Sequence, residues 1–194
     1  MNGKATLIIL AGGRSSRMGK PKHLLATSRG DTIVEHLASK LGYMFSETLV
    51  VGIDPSEPVA NLRVVKDVYD IRSPLVGLYS GLISASNNLS FVVACDMPFV
   101  KRPLVRHIID VCGNADVCVP VVNGYYEPLC AAYNRTAILA IDEAINKGIY
   151  KLTSIYNSLQ VRTIPEQEVR LFDDTLISFT NLNLPRQLPL LAKL

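Results

Sequence analysis

Short apolar runs and segments with apolar residues at helical spacing take turns along this chain. Residues 7–10 (Leu-Ile-Ile-Leu) have the length and residue types of a strand buried on both faces. Asp31 or Thr32 can cap a helix that carries Ile33, Val34, Leu37, Ala38 and Leu41 on one stripe, with Gly42 as its stop. Residues 48–53 form a second buried strand, and Asp54-Pro55-Ser56 with Pro58 a turn. A third strand covers 62–66 and ends at Asp67. Residues 74–85 have helical spacing, and 90–95 read as a fourth strand with Asp96 at its carboxyl end. Further along come a helix at 103–112, strands at 117–122 and 128–134, a helix at 135–146 that breaks at Gly148, a short helical piece at 151–159 and a strand at 161–164. The tail reads as extended over 179–183 and helical over 185–193. Alternating strands and helices predict a three-layer α/β fold around a mostly parallel, doubly wound sheet. With no repeat, low-complexity tract or linker, residues 1–194 form a single domain.

Composition narrows the picture in three ways. At 48% hydrophobic and 19% charged, the chain has ample material for one core. The net charge of +3 is too small and too localised for a nucleic-acid surface. The first thirty residues hold six Lys or Arg and no Asp or Glu, which suits a small anionic ligand. Cys95, Cys112, Cys118 and Cys130 lack metal-site or C-x-x-C spacing and lie in or beside apolar segments. Buried free thiols imply a reducing, cytoplasmic setting. No apolar run approaches the ~20 residues of a membrane span, and charge and glycine follow Leu10 too soon for a signal peptide.

The candidate chemistry starts where the first strand stops, at Gly12-Gly13. Glycines let a backbone approach a ligand, their N–H groups can cradle phosphate oxygens, and Arg14, Arg17, Lys20 and Lys22 add positive charge. The loop is neither a P-loop nor a dinucleotide fingerprint. Five residues separate Gly13 from Gly19, Pro21 follows Lys20, and G-x-G-x-x-G is absent. Ligands on doubly wound sheets bind beyond the carboxyl ends of the strands, which puts the Gly12 loop, Asp67 and Asp96 along one edge. Asp96 is then a ligand for a hard cation or a helix N-cap, and Asp67 a site residue or a turn aspartate. His36 and His107 read as surface residues. His23 adjoins the loop with its role open.

Leu10, Ala11, Gly12, Gly13, Ser15, Arg17, Met18, Gly19, Lys22, Leu24 and Leu25 match a signature written roughly L-A-G-G-x-S-x-R-M-G-x-x-K-x-L-L. This stretch resembles the Rossmann-like nucleotidyltransferases, and among them the molybdenum cofactor guanylyltransferases. Cys95-Asp96-Met97-Pro98, Pro74-Leu75-Val76-Gly77, Glu127-Pro128-Leu129 and Phe179-Thr180-Asn181-Leu182-Asn183 resemble further segments of that family. The resemblance implies that Leu10, Ala11, Gly12, Gly13, Lys22, Asp67, Gly77 and Asp96 bind the nucleotide. It implies that Asp96 holds Mg²⁺, that Lys22 and Arg17 neutralise phosphates, and that Asn181 and Asn183 face the pterin acceptor. The implied reaction moves GMP from GTP to molybdopterin or its molybdenum-bearing form and releases pyrophosphate. Other cofactor-biosynthesis or acceptor proteins would be partners, with no role for nucleic acid or a membrane. Pro21 stands where many members have aspartate, and Leu184-Pro185-Arg186-Gln187 replaces Thr-Pro-Glu-Glu. No clear counterpart exists for a polar residue after the second strand, where Gly52 or Asp54 stands. These departures keep two other readings open: a CTP-dependent enzyme acting on a pterin or sugar-like acceptor, and a non-catalytic protein that binds the cofactor.

Overall fold

The structure is a computed structural model that describes residues 4–12, 22–54, 56, 59, 62–183, 187 and 189–191. The loop residues Gly13, Arg14, Arg17, Lys20 and Pro21, and most of the predicted 185–193 helix with Arg186, lie outside them.

Among the described residues eight strands build one sheet: β1 (Ala5–Leu10), β2 (Glu47–Val51), β3 (Arg63–Val65), β4 (Leu89–Ala94), β5 (Val117–Val122), β6 (Tyr125–Tyr126), β7 (Cys130–Asn134) and β8 (Val161–Pro165). Parallel pairing runs β3-β2-β1-β4, with Leu7 opposite Thr48 on one side and Phe91 on the other. The chain then reverses. β7 lies antiparallel between β4 and β5, and β8 pairs parallel with β5 along its other edge. Both faces of this sheet are covered. Leu7 and Ile9 join the cluster under α1 (Ile33–Leu41) and α3 (Arg102–Cys112). Ile8 and Leu10 join the opposite cluster, under α2 (Pro74–Ser84) and α4 (Ile138–Asn146). The two-residue period of a strand therefore splits one apolar run between two cores. All four cysteines are buried, as the sequence implied.

Local chemistry explains where elements start and stop. Thr32, not Asp31, caps α1 through a capping box. Its hydroxyl accepts the Glu35 N–H at 3.2 Å, and the Glu35 carboxylate accepts the Thr32 N–H at 2.7 Å. Ser73 caps α2 by accepting the Leu75 N–H at 3.1 Å, with Pro74 in the first turn. Gly42 does not end the chain's winding. It is right-handed and opens a single 3₁₀ turn, Gly42–Met44. β2 stops at Val51, short of the expected 53, because Gly52 turns with φ +90°.

The strand expected over 128–134 starts only at Cys130: four steps along β5 face seven on the returning chain, so residues 127–129 bulge out between β6 and β7. Residues 166–179 contain a short helix α5 (Glu166–Val169) and a 3₁₀ turn, Ile177–Phe179, so Phe179 is turned and the extended stretch begins at Thr180. His36 and His107, expected at the surface, are half-buried. Nε2 of His36 is sequestered without a partner, and burial, with Lys40 close by, holds its pKa below the usual value. His107 stacks on Phe172 at 4.1 Å and meets Glu168 at 2.6 Å.

Candidate active site

β2 and β4 flank β1, and α1 and α2 leave the sheet on opposite faces, so the strand order switches direction around β1. At such a switch point the strand ends open a crevice. Main-chain bonds fix the chain there. Ala11 N–H donates to Val51 O at 2.8 Å, Cys95 N–H to Leu10 O at 2.9 Å, and Gly52 N–H to Val65 O at 3.2 Å.

Glycines shape one side of the crevice. Gly12 and Gly52 cross so closely that a Cβ on Gly12 would lie 3.0 Å from Gly52 O, and a Cβ on Gly52 would lie 2.9 Å from the Gly12 backbone. Gly77, in the first turn of α2, is buried against Leu10, where a Cβ would come within 3.3 Å of Leu10 Cδ2. Asp67 stands beside these glycines, its carboxylate oxygens 3.6 Å and 3.7 Å from the points where Cβ atoms on Gly52 and Gly77 would sit. Its Oδ1 is buried without a hydrogen-bond partner. A sequestered acceptor of this kind costs stability unless something donates to it, so it marks a place for a ligand N–H or O–H.

Burial pushes the Asp67 carboxyl up, against an opposing effect of the Ser80 hydroxyl. A carboxyl raised in the folded state contributes stability below the ordinary carboxylate range and loses it as pH rises through its own higher value. Asp67→Asn is therefore expected to melt a few degrees higher than the parent at pH 7–8, with the gap closing toward pH 4. The same variant should raise the KM for nucleotide about tenfold, because the amide removes the charge and replaces one of two acceptor oxygens with a donor. Thermal melts across pH and initial-rate kinetics test both halves.

Asp96 follows β4 and is half-buried. It follows the strand on the other side of β1 from β2 and β3, whereas Asp67 follows β3. The carbonyl of Asp96 accepts the Leu182 N–H at 2.8 Å, which brings Asn181 and Asn183 to the same edge. Leu182 is buried between them, and Gln187 ties their backbone through Asn181 O at 2.9 Å and Asn183 N–H at 2.8 Å. Lys22 opens a single 3₁₀ turn, Lys22–Leu24, while Gly13 and Arg17 lie outside the described residues. Leu10, Ala11, Gly12, Asp67, Gly77, Asp96, Asn181 and Asn183 thus fall at one end of the sheet. Asp54 accepts the Ser56 N–H at 2.8 Å in the turn after β2.

A family model described as a MobA-like NTP transferase domain matches residues 7–163. The chain belongs to this family. This MobA-like nucleotidyltransferase is 34% identical over 185 residues to the molybdenum cofactor guanylyltransferase of Desulfosudis oleivorans, covering 94% of the chain and 92% of that protein. The crystal structure of molybdopterin-guanine dinucleotide biosynthesis protein A from Archaeoglobus fulgidus superposes with a TM-score of 0.84, at 27% identity and 97% coverage of both chains. The 2-C-methyl-D-erythritol 4-phosphate cytidylyltransferase of Thermus thermophilus shares the fold, with a TM-score of 0.71 at 17% identity and 96% coverage of both chains.

The nucleotidyltransferase holds one more acid at this edge. Glu127 begins the bulge before β7, two residues ahead of Leu129, whose carbonyl accepts the Ala94 N–H at 3.1 Å. Burial raises its carboxyl. The sequence shows Glu127 only as part of a family-like segment; its placement beside the end of β4 follows from the antiparallel return of β7. A hollow of about 470 Å³ lined by Asn88, Asn114, Asn134 and Arg135 lies at the opposite end of the sheet, away from all these groups. Among the described residues no helix is long and apolar enough to cross a membrane.

Proposed function

We propose that the enzyme transfers GMP from GTP to the terminal phosphate of molybdopterin, or of its molybdenum-bearing form, with release of pyrophosphate. The observation that carries this reading is the division of one sheet edge into two separated carboxylates. Asp67 serves the base and Asp96 the reacting phosphates. An anionic oxygen in a glycine-walled slot repels phosphate and accepts from a base, and guanine offers adjacent N1–H and N2–H donors. Gly12, Gly52 and Gly77 leave room for a planar ring against the backbone.

The cofactor is Mg²⁺, held by Asp96. Among the described residues no three His, Cys, Asp or Glu side chains converge as a metal cage. One hard carboxylate, with phosphate oxygens and water completing the shell, is the donor set Mg²⁺ accepts. Bound there, Mg²⁺ supplies charge neutralisation at the α-phosphate. The chain's own residues do the rest. Leu10, Ala11, Gly12 and Gly13 present backbone to the nucleotide, and Lys22 and Arg17 offset the charge of the departing pyrophosphate. Asn181 and Asn183 hold the pterin acceptor next to Asp96. An oxygen of the acceptor phosphate forms a bond to the α-phosphorus in line, the bond to the β-phosphate bridging oxygen breaks, and pyrophosphate leaves with that electron pair. A phosphate monoester has its second pKa near ~6, so the nucleophile is already ionised and no general base is required.

The test incubates the protein with molybdopterin, Mg²⁺ and each of four nucleoside triphosphates in turn, and measures pyrophosphate. Release with GTP alone, abolished by EDTA, is expected. Release with CTP in its place would transfer the protein to a cytidylyltransferase role. Folded protein that binds the pterin and releases nothing would be a carrier.

A further inference from the structure

Two hydrogen bonds run the tail antiparallel to the turn that carries Asp96. Leu182 N–H donates to Asp96 O at 2.8 Å, and Lys101 N–H donates to Ser178 Oγ at 2.9 Å. Beneath them sits Asp173, its side chain fully enclosed. Its Oδ2 accepts the Ser178 N–H at 2.8 Å, and its Oδ1 meets Lys101 Nζ at 3.0 Å. Lys101 Nζ also reaches Asp174 at 2.9 Å.

We propose that Lys101, Asp173 and Ser178 form a clasp that positions the acceptor-binding segment against the Asp96 turn, and so sets affinity for the phosphate-bearing acceptor. This rests on the reading of Asn181 and Asn183 as acceptor-facing residues. A buried carboxylate is costly unless it is fully satisfied. Here the cost is met at one place, where the tail crosses the turn, by donors from both strands of the crossing: Lys101 from the turn and Ser178 from the tail. Burial would raise Asp173, yet the Ser178 hydroxyl and N–H and the Lys101 ammonium outweigh it and hold the carboxyl below its usual range. The clasp therefore stays charged and closed at neutral pH. From Ser178 the chain has four residues to reach Leu182, which is anchored in the core at 1% exposure. Asn181 and Asn183 flank that anchor. Fixing Ser178 at one end and Leu182 on Asp96 at the other leaves the asparagines little freedom to drift from the reacting phosphate. A misplacement of even 1 Å between reacting groups costs rate.

The turn is braced from its other side as well. Lys40 of α1 donates to Pro98 O at 3.0 Å, and Met97 N–H to Ala94 O at 3.0 Å. Loosening the clasp should thus move the tail and leave the turn and the glycine crossing in place. The nucleotide and acceptor sides of the reaction should separate in the kinetics.

Ser178→Ala removes one hydroxyl, and Asp173→Asn removes the buried charge. Initial rates are measured with GTP and molybdopterin varied separately, alongside molybdopterin binding without Mg²⁺ and amide hydrogen exchange over 178–183. For both variants we expect the acceptor KM and Kd to rise about tenfold, the GTP KM to stay within about twofold, and exchange over 178–183 to accelerate. Equal changes in both KM values, or unchanged acceptor binding in a folded variant, overturn the clasp. Should Asp173→Asn fail to fold, Ser178→Ala decides by the same criteria. Wild-type protein that binds molybdopterin yet transfers no guanylyl group would refute the proposed reaction alone, and the binding and exchange measurements would still judge the clasp.

Discussion

Asp96→Ala is expected to fold and melt like the parent while its kcat for pyrophosphate release falls by about 10³-fold or more. The main chain and the side chain of this residue are separable. What holds the turn is main chain: Cys95 N–H to Leu10 O, Met97 N–H to Ala94 O, and Leu182 N–H to Asp96 O. These three bonds run through main-chain atoms and are retained when the carboxylate is deleted. On the proposed mechanism the reaction needs the charge, because a phosphate nucleophile must approach a triphosphate. Asp96→Asn, nearly isosteric, should lose almost as much, since a neutral amide is a poor ligand for a hard cation. Raising Mg²⁺ should recover part of the Asn variant's rate and none of the Ala variant's. Circular-dichroism melts and pyrophosphate assays over a Mg²⁺ series check this. Near-normal turnover by Asp96→Ala would remove the residue from metal binding and return it to the role of a turn or cap aspartate.

Much of this arrangement is legible in the chain because its causes are local. The apolar runs of β1, β2, β4 and β5 have no polar face to offer, so they have to be buried on both sides, and helices must cover them. Aspartates that directly follow such runs then share the carboxyl edge of the sheet. The hairpin after β5 also had a local signal. Asn123-Gly124 adopts φ values of 50° and 79°, the left-handed pair that Asn-Gly favours in tight hairpins. That dipeptide foretells the return of β7 against β5, and so the position of Glu127. Other features depend on partners far along the chain. His107 is enclosed because Phe172 and Glu168 reach it from 61 and more residues away. Asp173 reads as one of two adjacent acids in a polar stretch, and only Lys101, on another element, reveals it as the buried one. The orphaned oxygen of Asp67 likewise exists only because Gly52 and Gly77 close around it.

Gly52→Ala is the substitution expected to damage this site most without touching a charged group. Two penalties combine there. The residue sits at φ +90°, where an L side chain is strained by about 1–3 kcal/mol. Its new Cβ would also stand 2.9 Å from the Cα and N of Gly12, backbone atoms that cannot rotate away as a side chain could. Together these should cost about 2–4 kcal/mol, near the upper range for single substitutions, and lower the melting temperature by roughly 5–15 °C. The surviving folded protein should bind GTP poorly, because relief of the contact pushes Gly12 into the crevice that the nucleotide occupies. Gly30→Ala separates the two penalties. Gly30 has a similar φ of +88° with nothing within 4 Å of a Cβ, so it carries the conformational strain alone. That variant should lose about 1 kcal/mol and keep its GTP KM. If both variants lose the same stability and both keep GTP affinity, the glycine crossing is only a turn. If Gly52→Ala alone raises the GTP KM, the pair Gly12 and Gly52 is the wall against which the nucleotide lies.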